Sequence, residues 1–223
     1  MRISRTGNLM LVGGAAILLH ASAAAAGVHG PVLPYESFSD SPLNGLSYSW
    51  FHLETYEEEN APQNSPGVTM TPGAVVVGPG VLVDSVDGGG NNGHSLFFDS
   101  GPVGLTFAFD MNILGSLPTH VGIAWTDGEL NVHFTAFDQN GVSMGTIDDS
   151  SGHGFSQGDG DPDNYRLFWA DNPGGISSIH ISNDGGGIEV DHLQYGLVVP
   201  APASLAPALP ALALMLARRR RVA

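Results

Sequence analysis

Twenty-two acidic residues, with no lysine and no cysteine, make the carboxylate the main chemical group of this chain. Carboxylates that converge hold hard divalent cations. Calcium takes six to eight oxygen ligands, drawn from several loops or from alternate positions of one loop. Two places offer such a set. The first is non-local: Glu54 at the end of an expected strand, Asp84 and Asp87 in one short segment, and Asp191 in the last apolar-alternating stretch. Asp191 stands between Val190 and Leu193, where full exposure is not expected, and a buried carboxylate needs a partner. Arg166 is the only Lys or Arg between residues 27 and 197. The partner is therefore a metal, backbone N–H groups or water. The second place is Asp159, Asp161 and Asp163 with Asn164 beside them. It begins like an EF-hand loop but has Asn164 where the sixth-position Gly would stand and Ala170 where the twelfth-position Glu would. A solvated acidic loop is the alternative for this segment.

Catalytic constellations are weak. Gly154-Phe155-Ser156-Gln157-Gly158 matches the G-x-S-x-G pattern, but a nucleophile elbow needs a buried strand before it and a helix after it. Its flanks are Asp148-Asp149-Ser150-Ser151-Gly152-His153 and Asp159-Gly160-Asp161-Pro162-Asp163, neither of which reads as a buried element. Glu57-Glu58-Glu59 could supply paired carboxylates for glycoside hydrolysis, and a solvated acidic run is the simpler reading. No histidine pair has H-E-x-x-H spacing; His133 and His180 alternate with apolar residues, as strand-surface residues do. The larger aromatics outside the Phe-rich strands are Tyr48, Trp50, Tyr56, Trp125, Trp169 and Tyr195. Trp50 and Trp125 alternate with apolar neighbours and read as core, whereas Trp169, after Leu167 and Phe168, fits either core or a sugar-stacking platform.

The elements that must position these groups are strands. Leu105, Phe107 and Phe109 alternate on one face, followed by Val121, Ile123 and Trp125, then Val132, Phe134 and Ala136. Asp138-Gln139-Asn140-Gly141 reads as a hairpin turn, with Val142–Ile147 returning. Further strands are expected at Leu46–Leu53, Val75–Val77, Val81–Val83, Ser95–Phe98, Tyr165–Ala170, Ile176–Ser182 and Ile188–Tyr195. No segment has a sustained helical period with caps. Short strands separated by 31 glycines and 15 prolines predict an all-β, two-sheet antiparallel sandwich of jelly-roll kind. A parallel β-helix is the alternative, but no fixed period supports it.

Charge narrows the partners. With His neutral, the segment 27–197 carries 22 acidic residues against Arg166 alone, a net charge of −21. That field disfavours nucleic acid and anionic lipid and favours divalent cations. It is also a plain solubility device. About 170 residues can bury an adequate core without disulfides.

Both chain ends read as signals. Arg2 and Arg5, the apolar run Leu9–Leu19 and Ala21-Ser22-Ala23-Ala24-Ala25-Ala26 have the order of a secretory signal peptide, with cleavage expected before Gly27. At the other end come Val199, Pro200, Ala201, Pro202, Ala203 and Ser204, then the apolar Leu205–Ala217, then Arg218, Arg219, Arg220 and Arg221. The apolar segment is short for a bilayer span, and the Arg cluster stays cytoplasmic by the positive-inside bias. The division is 1–26 signal peptide, 27–197 β domain and 198–223 sorting segment, with a signal helix and a hydrophobic sorting helix flanking the sandwich.

The C-terminal layout resembles the PEP-CTERM signal read by exosortases, with Ala201 where the family's motif has Glu. Gly80–Asp87, Gly93-His94-Ser95, Leu117–Gly122, Trp125–Gly128, Gly174–Ile179 and Gly187–Gly196 together resemble an uncharacterised β-sandwich domain of PEP-CTERM surface proteins. The resemblance implies the secretion machinery and an exosortase-like processing enzyme as partners, transient membrane anchoring through the tail, and a final place in the cell envelope or extracellular matrix. It implies a non-catalytic structural or adhesive role, with exopolysaccharide as neighbour. A calcium-assisted carbohydrate-binding module is the alternative, and a secreted hydrolase a distant third. By analogy with jelly-roll modules, calcium would clip the first and last strands through Glu54, Asp84, Asp87 and Asp191.

Overall fold

The computed structural model describes residues 26–58, 65–80, 83–87, 90–153 and 162–199. The signal peptide up to residue 25 and the sorting segment from Pro200 onward lie outside these residues. So do Glu59, the segment Gly154–Gly158, Asp159 and Asp161.

The described residues form ten strands: β1 (Gly27–Val32), β2 (Tyr48–Glu54), β3 (Val68–Thr71), β4 (Val75–Val77), β5 (Ser95–Phe98), β6 (Leu105–Phe109), β7 (His120–Asp138), β8 (Ser143–His153), β9 (Arg166–Asp171) and β10 (Ile176–Val198). Among the described residues helix is confined to single turns. The α-helical one is α1 (Met111–Leu114), capped by the Asp110 side chain accepting the Asn112 N–H and ended by Gly115 at φ 79°.

All pairings are antiparallel, and the strands form one hydrogen-bonded sheet. Its two long members, β7 and β10, pair along their lengths and serve two half-sheets. In the first half, β8 joins the C-terminal part of β7, and β6 with β3 joins the N-terminal part of β10. In the second, β9 and β1 extend the N-terminal part of β7, while β5 with β4, and β2, flank the C-terminal part of β10.

The core lies between the halves. Phe134 of the first stacks on Phe168 of the second, centroids 5.8 Å apart, and Phe109 tilts against Tyr195 at 5.3 Å. The apolar residues expected to face inward on β6 and β7 are all buried. Truncating one of these rings to Ala costs about 3–5 kcal/mol. The architecture is all-β and antiparallel, consistent with a sandwich.

The sequence reading splits β7 and β10 into two strands each. Asp127-Gly128 and Asn183–Gly187 look like turns, yet they are irregularities inside one paired ribbon. Gly128 (φ 156°) and Gly186 (φ 59°) bend the ribbon, and Asn183 Nδ2 ties the bend by donating to the Glu129, Gly185 and Gly187 carbonyls. A Cβ on Gly128 would come within 2.7 Å of Asn183 Oδ1. Of the expected strand Val81–Val83, Val83 is buried but outside any strand, and the other two positions are not described. β1 and β3 are additions. Their Gly, Pro and Thr content hides the alternation that would mark them.

Arg166, the one Arg of the domain, is only 1% exposed. Its guanidinium donates to Asp149 of β8 at 2.5 Å and lies 5.5 Å from the Trp125 ring centroid. The fixed positive charge is thus neutralised inside, and the surface is left to the acids.

Candidate metal centre

The chemistry gathers on the outer face of the second half-sheet. Ile188 and Val190 of β10 point into the core, so Glu189 and Asp191 point out. A bulge at Asp191–Leu193, where His192 has φ 48°, puts His192 on the outer face too and returns Leu193 and Tyr195 to the core. On β7 the register shift beside Trp125 does the same for Thr126 and Asp127: Trp125 faces the core opposite Val190, and Asp127 stands opposite Glu189. Alternation alone would have turned one of each pair inward.

The segments 83–87 and 90–94, ahead of β5, fold over this face. A second small core of Tyr35, Val86, Ala124, Tyr165 and Leu167 seals the contact. The loop brings Asp84 to Asp127 and Glu189, and the three offer ligand oxygens all within 4.8 Å of one another. Two atoms bound to one calcium at about 2.4 Å each can be no farther apart than that. Thr126, 3% exposed on the same face, has a buried hydroxyl with no hydrogen-bond partner among the described residues. Three hard carboxylates this close are a donor set that suits calcium.

These carboxylates are held in place. Glu189 Oε1 accepts from the Asp84 N–H at 3.0 Å and from Ser95 Oγ, and the Tyr165 hydroxyl donates to Asp84 Oδ1 at 3.3 Å. Burial pushes the Glu189 carboxyl up to about 8, against the pull of those two donors, with Asp84 and Asp127 adding repulsion. Without a cation, Glu189 keeps a proton at neutral pH.

Asp191 lies next to this site and does different work. It is fully buried, and its Oδ2 accepts the Val86 N–H at 2.8 Å and Ser85 Oγ at 3.2 Å, while Oδ1 accepts the His192 N–H at 2.7 Å. Burial raises its carboxyl to about 7 in spite of His192 and these amides. Ser85 Oγ also reaches Glu57 Oε1, which takes the His94 N–H at 2.7 Å. Gly93 passes so close that a Cβ would collide with Ser85 Oγ and the Asp87 carbonyl.

Another chain of side chains ties the segment from Tyr35 to Ser41 onto β10. Ser41 Oγ donates to Gln194 Oε1, and Gln194 Nε2 donates to the Tyr35 hydroxyl, both at 2.6 Å. That hydroxyl lies 2.9 Å from His192 Nδ1, and His192 Nε2 lies 3.1 Å from Asp87 Oδ2.

The four ligands expected from sequence therefore separate. Asp84 belongs to the carboxylate trio. Asp191 holds loop backbone, the N–H alternative foreseen for it. Asp87 pairs with His192, whose hydrogen bond is the main influence keeping its carboxyl low. Glu54 accepts the Tyr56 N–H at 3.1 Å and the Ser65 hydroxyl at 3.0 Å; burial raises its carboxyl, but these bonds and His52 leave it lowered. Asp127 and Glu189 take the places assigned to the other three. Of the second candidate loop, Asp163 is exposed in a single 3-10 turn (Pro162–Asn164).

Tyr56, Trp125 and Tyr195 are buried, Trp50 packs against the core, and Tyr48 donates to the Leu43 carbonyl. Trp169 points outward on β9, its ring stacked on His29.

No protein-family model and no curated protein matches the chain. Solved structures do. An adhesin domain of Lys-gingipain from Porphyromonas gingivalis aligns at TM-score 0.42 and 12% identity over 67% of this chain and 99% of that one. The C-terminal family 22 carbohydrate-binding module of Clostridium thermocellum Xyn10B aligns at 0.38 and 12%, over 71% and 99%. The catalytic domain of a GH87 alpha-1,3-glucanase, in complex with tetrasaccharides, aligns at 0.38 and 16%, over 72% of this chain and 30% of that one. These similarities are below the level at which a shared function follows.

Proposed function

We propose that this chain is an exported, non-catalytic binding module of the cell envelope: a jelly-roll-like sandwich whose covering loop is fixed by calcium and whose ligand is polysaccharide. The observation that carries the reading is the meeting of Asp84, Asp127 and Glu189, whose ligand oxygens all lie within 4.8 Å of one another. Two buried carboxylates and a half-buried one this close repel one another, a shared cation relieves that repulsion, and outside the cell calcium is the ready cation. The ion would hold the loop against β7 and β10, and the loop would then cost less entropy to present a ligand surface.

Export and sorting rest on the two terminal signals. The signal peptide would lead the chain to the secretion machinery, and Val199–Ser204 with Arg218–Arg221 would hand it to an exosortase-like enzyme after transient membrane anchoring. Catalysis has no comparable support: the flanks of the G-x-S-x-G match do not read as a buried strand and a helix, and Glu189 and Asp191 accept loop backbone N–H groups. The net charge of −21 leaves nucleic acid aside.

Retention in native gels cast with soluble polysaccharides tests the reading. The exported protein should be slowed by at least one uncharged polysaccharide, and EDTA should weaken the retention. Mobility unchanged by every polysaccharide, with and without calcium, would remove the binding-module reading.

A further inference from the structure

On the outer face of β9, away from the carboxylate trio, Trp169 stands beside His29 of β1, rings stacked with centroids 4.0 Å apart and planes at 23°. His29 Nε2 lies 2.6 Å from Asp171 Oδ1. The His29 side chain is 40% exposed and that of Asp171 14%, so the imidazole reaches solvent while the carboxylate that fixes it is largely covered. The opposite flank of Trp169 in the sheet is Gly122, which carries no side chain, and His120 stands opposite Asp171 in the next row. Gly27, also opposite Asp171, leaves room for the imidazole, since a Cβ there would come within 2.8 Å of His29 Nε2.

This is a built arrangement, not a stray surface tryptophan. An indole with nothing to pack against would gain by burial in the core, as Trp125 does. Here the sheet presents it outward, braces one face with an imidazole and sets a carboxylate and a second imidazole alongside. An aromatic face is electron-rich and attracts the weakly positive axial C–H groups of a pyranose ring. Asp171 and His120 supply an acceptor and a switchable donor or acceptor for the ring's hydroxyls. Small-molecule sites combine these parts: an apolar platform with a few convergent polar groups. The charge of the domain selects among sugars, since −21 repels uronate and sulfate polymers.

We infer that Trp169, braced by His29 and flanked by Asp171 and His120, is a stacking subsite for a pyranose unit of an uncharged polysaccharide. The inference rests on the binding-module reading and gives it a location.

The test uses the exported protein in gels containing soluble glucan, xylan or mannan, with alginate as the anionic arm. Titration calorimetry follows on any polysaccharide that slows the protein. Trp169→Ala should weaken binding at least tenfold, and Trp169→Phe should retain most of it. Asp171→Asn should fall between, with melting temperatures close to wild type. If Trp169→Ala unfolds, His29→Ala and Trp169→Phe decide in its place, and His29→Ala should bind several-fold more weakly. Undiminished binding by a folded Trp169→Ala would overturn the subsite and leave the module reading standing. So would undiminished binding by His29→Ala where Trp169→Ala does not fold. Retention by alginate alone would also overturn the subsite. Failure of the wild type to bind anything would remove both.

Discussion

The Asp191 carboxylate accepts the Val86 N–H at 2.8 Å across 105 positions of sequence. One buried side chain on the closing strand therefore sets where the covering loop lies, and with it where Asp84 meets Asp127 and Glu189. Removing the acceptor should free the loop. Asp191→Ala would orphan the Val86 and His192 amides, at about 1–3 kcal/mol for each buried group left unsatisfied. The expected outcome is a melting temperature lower by roughly 2–4 °C per kcal/mol and weaker calcium binding, although Asp191 is not a proposed ligand. Differential scanning fluorimetry with and without calcium reads both; full calcium affinity in Asp191→Ala would separate the loop anchor from the site.

The raised carboxyls give calcium binding a pH signature. Glu189 at about 8 and Asp191 at about 7 both lie above ordinary carboxylate values. Their stabilising contribution is complete below the unfolded values near 4 and is lost as pH rises through 7 and 8. In EDTA the protein should thus be more stable near pH 5.5 than near pH 8.5. Calcium must displace the Glu189 proton, so its affinity should climb between pH 6 and 8, with proton release visible as a buffer-dependent binding enthalpy. Glu189→Gln should abolish that dependence.

His133 gives an effect of the same sign far from the site. Its two nitrogens lie 2.7 Å from Asp148 and 2.8 Å from Asp184 across three strands, and these bonds raise its pKa. The contribution is present in full below the usual imidazole value and fades as pH rises through the raised one. His133→Gln should narrow the gap to wild type between pH 6 and pH 9, a small change because the cluster is exposed. Equal gaps at both pH values would mean the imidazolium adds nothing.

The buried Arg166–Asp149 pair should behave otherwise. Asp149→Ala leaves a guanidinium with 1% exposure and no counter-charge at that position, which costs about 3–5 kcal/mol. Urea titration of Asp149→Ala and of Arg166→Met with Asp149→Leu checks this. The double variant should recover much of the loss; a single variant as stable as wild type would contradict the account.

Sequence showed the strands well where apolar residues alternate cleanly, as in Leu105–Phe109 or Val132–Ala136. It failed where glycine and asparagine serve a bend within a strand, because Asn183–Gly187 looks the same as a turn when its partner β7 is unknown. The site was half legible. Asp191 stands out as a carboxylate in apolar company and Asp84 as one of a close acidic pair, and Glu189-Val190-Asp191 does place two acids on one face. The extra residue at Thr126–Asp127, and the register that sets Asp127 opposite Glu189, belong to long-range pairing and leave no local trace. Trp169 was ambiguous for a similar reason. Only its register with Gly122 and His29 shows that it faces outward.

Processing has its own prediction. Intact mass of the protein from envelope or medium should lack residues before about Gly27 and after about Pro202. A mass that retains Arg218–Arg221 would sink the sorting claim and leave the domain's chemistry untouched.

The claim on which the functional reading rests is a specific calcium site. Thermal melts of the exported protein in EDTA, calcium and magnesium at matched ionic strength test it most directly. Screening of a −21 domain would treat the two cations alike. A site made by Asp84, Asp127 and Glu189 should saturate and prefer calcium. It should add about 2.7 kcal/mol at a hundred times the dissociation constant and disappear in Asp127→Asn. Equal, unsaturating responses to calcium and magnesium, or a calcium shift unchanged in Asp127→Asn, would contradict it.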